Sequence, residues 1–347
     1  DAAVSFTQVQ TGSFKDMEFK HGTPSTMYAC GAVFQKSTDG GLTWTKIISG
    51  LPDSVDVSRM AIAVTPANAN TVYLVAMNAT TNDMEGVYKS TNSGSGFSYL
   101  SAPNIGNQGW YDLCIAASPT NANEIMLGGQ TQFMKSTSGG TSWSQIAFTT
   151  HVDYHDIVYT SGTTVYLTSD GGVWKSTSSG SSWTDLSNNL EISQMYGFGQ
   201  SATDPDLLIQ GWQDNGTNIY DGSWSSTMGG DGMLAFISWN NDDYMWGSQY
   251  EGSLNRSTSK GNTWSSCATI AETCPWVTQW SEDPLTANTI YAGCENVWVS
   301  NNGGQSWTNN GDVLAGNTAA ITALAVSPAN TSVMWTAKGG TLYNCTD

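Results

Sequence analysis

The sequence predicts an all-β chain made of repeated four-stranded antiparallel units, and three observations carry that prediction. A short polar motif ending in an aromatic residue recurs six times along the 347 residues. Apolar residues alternate in short runs on either side of each copy, which is the period of half-buried strands rather than of helices. Glycine is abundant, at 37 residues, and gathers with Asn, Asp, Ser and Thr between those runs, where turns need it.

The copies read Ser37-Thr-Asp-Gly-Gly-Leu-Thr-Trp44, Ser90-Thr-Asn-Ser-Gly-Ser-Gly-Phe97 and Ser136-Thr-Ser-Gly-Gly-Thr-Ser-Trp143. They continue as Ser176-Thr-Ser-Ser-Gly-Ser-Ser-Trp183, Ser257-Thr-Ser-Lys-Gly-Asn-Thr-Trp264 and Ser300-Asn-Asn-Gly-Gly-Gln-Ser-Trp307. Each is a hairpin turn by its chemistry. A short polar side chain at the third position accepts backbone N–H groups, glycine takes a positive φ, and the aromatic folds back against the sheet. Around each turn the order is first strand, Pro- and Asn-containing turn, second strand, turn, third strand, motif, fourth strand. Met60–Val64 and Ile321–Val326 are clear first strands, and Pro66, Pro119, Pro284 and Pro328 follow first strands in one register.

Two further repeats lack the motif. The stretch from Met195 to about Gly230 has a short turn at Asp221-Gly222 in its place, and Ile321 to Asp347 supplies three strands only. Val4–Val9 at the other terminus provides the missing strand, so pairing the two ends closes a ring and hides both sheet edges. The prediction is a single β-propeller domain over residues 1–347, with eight four-stranded blades of about 43 residues. Its last blade is shared by about 1–12 and 321–347. Seven blades with an irregular insertion is the alternative; eight leaves no interval over.

The motif resembles the Asp-box, S/T-x-D-x-G-x-x-W, of sialidases, xyloglucanases, sortilin-type receptors and many secreted bacterial proteins. Only Asp39 keeps the acid; the other copies carry Asn or Ser. The resemblance implies that these turns are architecture and lie away from the functional face.

Composition narrows the function. With 11 Lys+Arg against 29 Asp+Glu the formal charge is -18, which repels phosphate backbones and anionic lipid. Nucleic acid is therefore excluded as a partner, and no apolar run is long enough for membrane insertion. The opening Asp1-Ala2-Ala3 fits a secreted chain whose leader has been removed. Six cysteines without metal-type spacing suit an oxidising compartment, and Cys267 and Cys274, bracketing a short loop, are the expected disulfide.

Loops leading into first strands share one face with the turns between second and third strands, and polar groups crowd there on adjacent blades. His151, Asp153 and His155 alternate, so in an extended segment their side chains converge as a two-histidine, one-carboxylate set able to hold a divalent metal. Hydrogen bonding between loops is the plainer role for them. No cofactor is otherwise required. Asp170-Gly-Gly-Val-Trp174 resembles the segment that carries one catalytic acid in xyloglucanases. Those enzymes take their second acid from another propeller, so here it must come from the same disc, with Asp214 and Asp231 as candidates. Two carboxyls flanking a glycosidic bond are what hydrolysis needs. Trp212, Gln213, Tyr250, Glu251, Trp276 and Trp280 are candidate sugar contacts, with Trp110 beside them. Sialidase chemistry is excluded, because an arginine trio grips the sialate carboxylate and this chain has only Arg59 and Arg256. The expected function is a secreted propeller acting on or binding neutral polysaccharide or surface glycan. A non-catalytic adhesion module, or a structural part of a larger secreted assembly, is the alternative.

Overall fold

A computed structural model describes residues 7–146, 151–310 and 318–346. Eight antiparallel sheets follow one another along the chain, seven of four strands and the last of three, each in simple sequential order. This is the blade series of an eight-bladed β-propeller, as the repeat predicted. Of the predicted closing strand Val4–Val9, residues 4–6 lie outside the described residues, and residues 7–9 carry no strand. The chain divides into two compact units, Asp1–Ile192 and Ser193–Asp347. Sheets 1 to 4 belong to the N-terminal unit and sheets 5 to 8 to the C-terminal unit.

Sheet 4 serves as an example. Its strands are Tyr154–Tyr159, Val165–Ser169, Gly172–Ser176 and Thr184–Asp185. The first three pair in register over four or five residues, whereas the fourth adds only two pairs, Trp174↔Asp185 and Lys175↔Thr184. Such a short outer strand gives a stray chain little edge to pair with.

All six motif turns close in the same way. The first serine is almost fully buried in every copy, and its Oγ accepts the N–H of the glycine four residues on, at 2.8–2.9 Å. The third residue then accepts the N–H four residues beyond itself, whether it is Asp39, Asn92, Ser138, Ser178, Ser259 or Asn302. The acid is thus dispensable because any short acceptor spans the gap. Gly140, at φ 91°, shows why glycine recurs at the fifth position: an L side chain there is strained.

The core lies between successive sheets rather than at one centre. Tyr28 and Phe34 of sheet 1 pack on Ile62 and Leu74 of sheet 2, and Val75 and Met77 of sheet 2 share a cluster with Ile115 and Leu127 of sheet 3. In the C-terminal unit Trp246 and Leu254 of sheet 6 meet Trp280 and Ile290 of sheet 7. At about 1.5–3 kcal/mol for each fully buried aliphatic or aromatic side chain, these layers dominate the stabilisation. Residues of the four first strands of the N-terminal unit line a cavity of about 620 Å³ that contains Asp16, Glu18, Arg59 and Asp156. No helix among the described residues is long and apolar enough to cross a membrane.

The expected disulfide is corrected. Cys274 bonds Cys294, with Cα atoms 4.1 Å apart, and Cys267 is a free thiol. Cys267 follows the short last strand of sheet 6, and its sulfur packs on Gly303 and Gly304 of the next motif turn. Cys294 directly follows the second strand of sheet 7, Ile290–Gly293, where the loop carrying Cys274 comes back to the sheet.

Candidate functional site

In the N-terminal unit, polar side chains gather where the chain enters sheets 3 and 4. Asp112 lies just before the strand Cys114–Ala117, and Asp153 just before Tyr154–Tyr159, so the two occupy matching places in successive blades. Asp153 takes φ 62° and donates its N–H to Gln130 O at 2.8 Å, and Tyr154 N–H follows onto Gly129 O. Asp170 sits in the turn Ser169–Gly172. Its neighbour Gly171 must be glycine, since a Cβ there would stand 2.1 Å from the Cβ of His151.

Asp170 is held on both oxygens. His155 Nε2 lies 2.5 Å from Oδ1, and the Tyr111 hydroxyl donates to Oδ2 at 3.0 Å. The Tyr111 ring meets the His155 ring edge-on, centroids 4.9 Å apart, and an exposed Trp110 lies beside Tyr111. A carboxylate gripped in this way has a fixed direction, as a binding or catalytic group requires.

Behind it lies a pair of acids that the sequence reading passed over in part. Asp112 is fully buried, and Asp153 is only 6% exposed. Their carboxyls meet, yet neither oxygen of Asp112 nor Oδ1 of Asp153 has a hydrogen-bond partner. Ionised carboxylates only accept, so two of them facing each other need a proton or a cation between them. Burial pushes the Asp112 carboxyl up to about 9, and the facing Asp153 adds to the rise. Burial also raises Asp153, with the contact to Asp112 and the charges of His151 and His155 pulling the other way. A signal for Asp112 was present in the sequence: it enters a first strand at the place where Asp153 enters the next.

The set His151, Asp153 and His155 does not lie on one extended run. The left-handed turn at Asp153 breaks the alternation, and His155 is engaged with Asp170. The ligand atoms that come within 4.8 Å of one another here include those of Asp153 and Asp170, and neither histidine.

The C-terminal unit presents different chemistry. Asp231 Oδ1 accepts the backbone N–H of Asp214 at 3.0 Å, so one of its oxygens caps the turn Trp212–Gly216. Glycines allow the close fit, because a Cβ on Gly232 would lie 2.1 Å from Gly216 O. Gln213 Oε1 accepts from the Tyr196 hydroxyl, and Trp212 donates to Gln210 while its ring leans on exposed Trp224. Trp280 is a core residue, 8% exposed and packed on Trp307. Its place in the strand Gln279–Glu282 turns it between sheets rather than to solvent.

Tyr250 and Trp276 form an exposed, stacked pair of rings. They are 44% and 47% exposed, and their rings stack with centroids 4.9 Å apart and planes 5° apart. The backbone beneath is braced. Glu251 N–H donates to Trp276 O at 3.2 Å, and Gly252 N–H to Thr278 Oγ1 at 2.8 Å. The Cys274–Cys294 disulfide ties the Trp276 loop to sheet 7. Glu272 completes the clamp by accepting from Asn296 N, Asn296 Nδ2 and Trp298 Nε1 at 2.6–2.9 Å. Nothing in the spacing of Glu272 marked it, since its partners lie 24 and 26 residues on.

No family model matches this chain, and no curated protein sequence does. Among solved structures it is similar to a GH74 xyloglucanase from Xanthomonas campestris, at 15% identity over 95% of this chain and 51% of that one, with a TM-score of 0.45. YCF48 from Cyanidioschyzon merolae matches at 11% identity over 98% of both chains, TM-score 0.38. PorZ of Porphyromonas gingivalis, a surface component of the type-IX secretion system, matches at 12% identity over 93% of this chain and 45% of its own, TM-score 0.41. The chain thus spans about half the length of the xyloglucanase and less than half of PorZ.

Proposed function

We propose that this protein is an extracellular carbohydrate-binding propeller whose principal sugar contact is the Tyr250–Trp276 platform of the C-terminal unit. The observation that carries the reading is the parallel, stacked and exposed pair of rings on a braced loop. Flat aromatic faces suit the C–H faces of pyranose rings, and rigid support lowers the entropy cost of binding. Gln249 and Glu251 flank Tyr250 in the same turn and supply donors and acceptors for sugar hydroxyls. The disulfide supports an oxidising, extracytoplasmic setting. Neutral polysaccharides are the fitting class, since a chain of charge -18 disfavours anionic ones.

The test is binding to a panel of neutral β-glucans and xyloglucan oligosaccharides by calorimetry, comparing wild type with Trp276→Ala. Loss of about tenfold or more in affinity, equivalent to about 1.4 kcal/mol, is expected from removing the outer ring. Equal affinity in the two proteins sinks the assignment.

A second reading, hydrolysis of the bound glycan, is favoured by one observation: Asp170 is oriented through both oxygens by His155 and Tyr111. In this reading Asp170 is one of the two acids. Product release from the same panel, abolished in Asp170→Asn, establishes it; binding without cleavage by wild type rejects it.

A further inference from the structure

A groove of about 470 Å³ opens between sheets 2 and 3 of the N-terminal unit. Its floor is Met134 and Trp143, both half-buried and seated on the core that the two sheets share. Trp143 is fixed at its edge, with Nε1 donating to Ser101 Oγ at 3.0 Å and to Gly140 O at 3.2 Å. One wall is the segment that leaves the last strand of sheet 2, Ser98–Ser101, and runs through Pro103 and Asn104. In sheet 3 the third strand, Phe133–Ser136, meets the last, Ser144–Gln145, so that Met134 stands opposite Gln145. Gln132 lies two residues before Met134, and the three side chains share one face of the sheet and line the groove. Lys135, between them in sequence, turns to the other face and pairs with Glu124 at 3.3 Å. The carboxamides of Gln132 and Gln145 are in no hydrogen bond among the described residues. Asn104 Oδ1 accepts the Gly106 N–H at 3.0 Å, which leaves the amide donors of Asn104 unused.

We propose that this groove is a second saccharide site, taking a short stretch of neutral glycan. None of its lining residues is ionisable, so a charged ligand would give up hydration there without meeting a counter-charge. The blade does not impose that neutrality. In the matching register sheet 1 has Lys46 opposite Gln35, and sheet 4 has Asp185 opposite Trp174. A carboxamide both donates and accepts, as a sugar hydroxyl does, and so pairs with it without selecting a charge. Met134 and Trp143 offer apolar area to the C–H face of a pyranose, and an indole already fixed loses little entropy on binding. The volume lies in the range of small-ligand pockets, about 300–1,000 Å³. The inference rests on the reading that this chain binds glycan, but it uses no residue of the Tyr250–Trp276 platform.

The experiment titrates the whole chain with cellotetraose and with a xyloglucan heptasaccharide by calorimetry, in four forms. These are wild type, Trp276→Ala, the pair Gln132→Ala with Gln145→Ala, and all three substitutions together. Both glutamines lie at the surface of the groove, so their loss should leave the thermal midpoint unchanged. Trp276→Ala is expected to keep one binding event per chain, and adding the glutamine substitutions should weaken that event at least tenfold. If Trp276→Ala binds nothing while wild type binds, the groove is no site; the inference is overturned and the platform stands. If Trp276→Ala binds like wild type and the glutamine pair abolishes binding, the groove is the site and the platform reading falls instead. Residual binding in Trp276→Ala that ignores the glutamines lies elsewhere and overturns the inference. Failure of wild type to bind either oligosaccharide overturns both.

Discussion

The two units run on one sheet plan and put opposite chemistry into their loops. In the N-terminal unit the loops leading into first strands carry acids, Asp112 and Asp153, that are withdrawn from solvent. In the C-terminal unit rings are held out into it, Tyr250 in the turn between the second and third strands of sheet 6 and Trp276 in the loop leading into the first strand of sheet 7. The blade fixes where a loop leaves the sheet and where it returns, and both units meet that demand with the same serine-to-glycine turn at the opposite end. What the loop holds between those points is free to vary, which is why function has to be read from loops and not from the fold.

The sharpest way to break the comparison is to release the C-terminal loop. Replacing Cys274 and Cys294 together by serine removes a bridge closing 20 residues of separation, which should cost about 3 kcal/mol of stability. The Trp276 loop would then depend on Glu272 and on the hydrogen bonds from Glu251 N–H to Trp276 O and from Gly252 N–H to Thr278 Oγ1. Glycan affinity is therefore expected to fall along with the thermal midpoint, measured under conditions where the protein remains folded. A variant that melts earlier yet binds as well as wild type would mean the platform needs no bracing, and the contrast between a pinned aromatic loop and a buried acidic one would lose its basis.

A smaller effect is expected from the cavity of the N-terminal unit. Burial pushes the Glu18 carboxyl from its ordinary 4.5 to about 7, with the charges of Asp16 and Asp156 adding to the shift. The folded state therefore holds a proton that the unfolded chain has released. The contribution is fully present below pH about 4.5 and is lost as pH rises through about 7. Stability should decline by about 1–3 kcal/mol across that window. Glu18→Gln should flatten the slope and raise the midpoint at pH 8. Arg59 lines the same cavity and its charge favours the ionised form of Asp16, so denaturant titrations at several pH values are the suitable measurement. An identical pH slope in the variant would remove Glu18 from the account.

Much of the fold was legible because the motif repeats: six copies fix six hairpins, and the strands between them follow by alternation. The first strand Ile321–Val326 and the motif-free turn at Asp221-Gly222 appear where the pattern placed them. The site was legible only as far as loops could be assigned to a face. The loop positions of Asp170, Tyr250 and Trp276 were read that way. Trp280 was misread as a sugar contact because a tryptophan near a loop and one in a first strand look alike until the strand begins. The disulfide was misread because nearness in sequence is a poor guide when the partner lies across a blade. Asp112 needed the comparison of equivalent positions in two blades, and Glu272 needed coordinates.

The smallest expected effect concerns the turns themselves and tests which part of the motif does the structural work. In the copy starting at Ser176, the first serine is fully buried and its Oγ accepts Gly180 N–H at 2.8 Å. The third residue, Ser178, accepts Ser182 N–H at 2.9 Å in an exposed setting. Removing the first hydroxyl leaves a buried amide without a partner, whereas water can replace the second. Ser176→Ala should therefore cost about 1–2 kcal/mol and Ser178→Ala a fraction of that. The same order should hold at Ser257 and Ser259 in the C-terminal unit, since the turn geometry is the same there. Chemical denaturation of the four single variants decides the matter. If the third position proved the costlier one in both units, the acid of the motif would matter for more than closing the turn, and its loss from five of the six copies would need another cause.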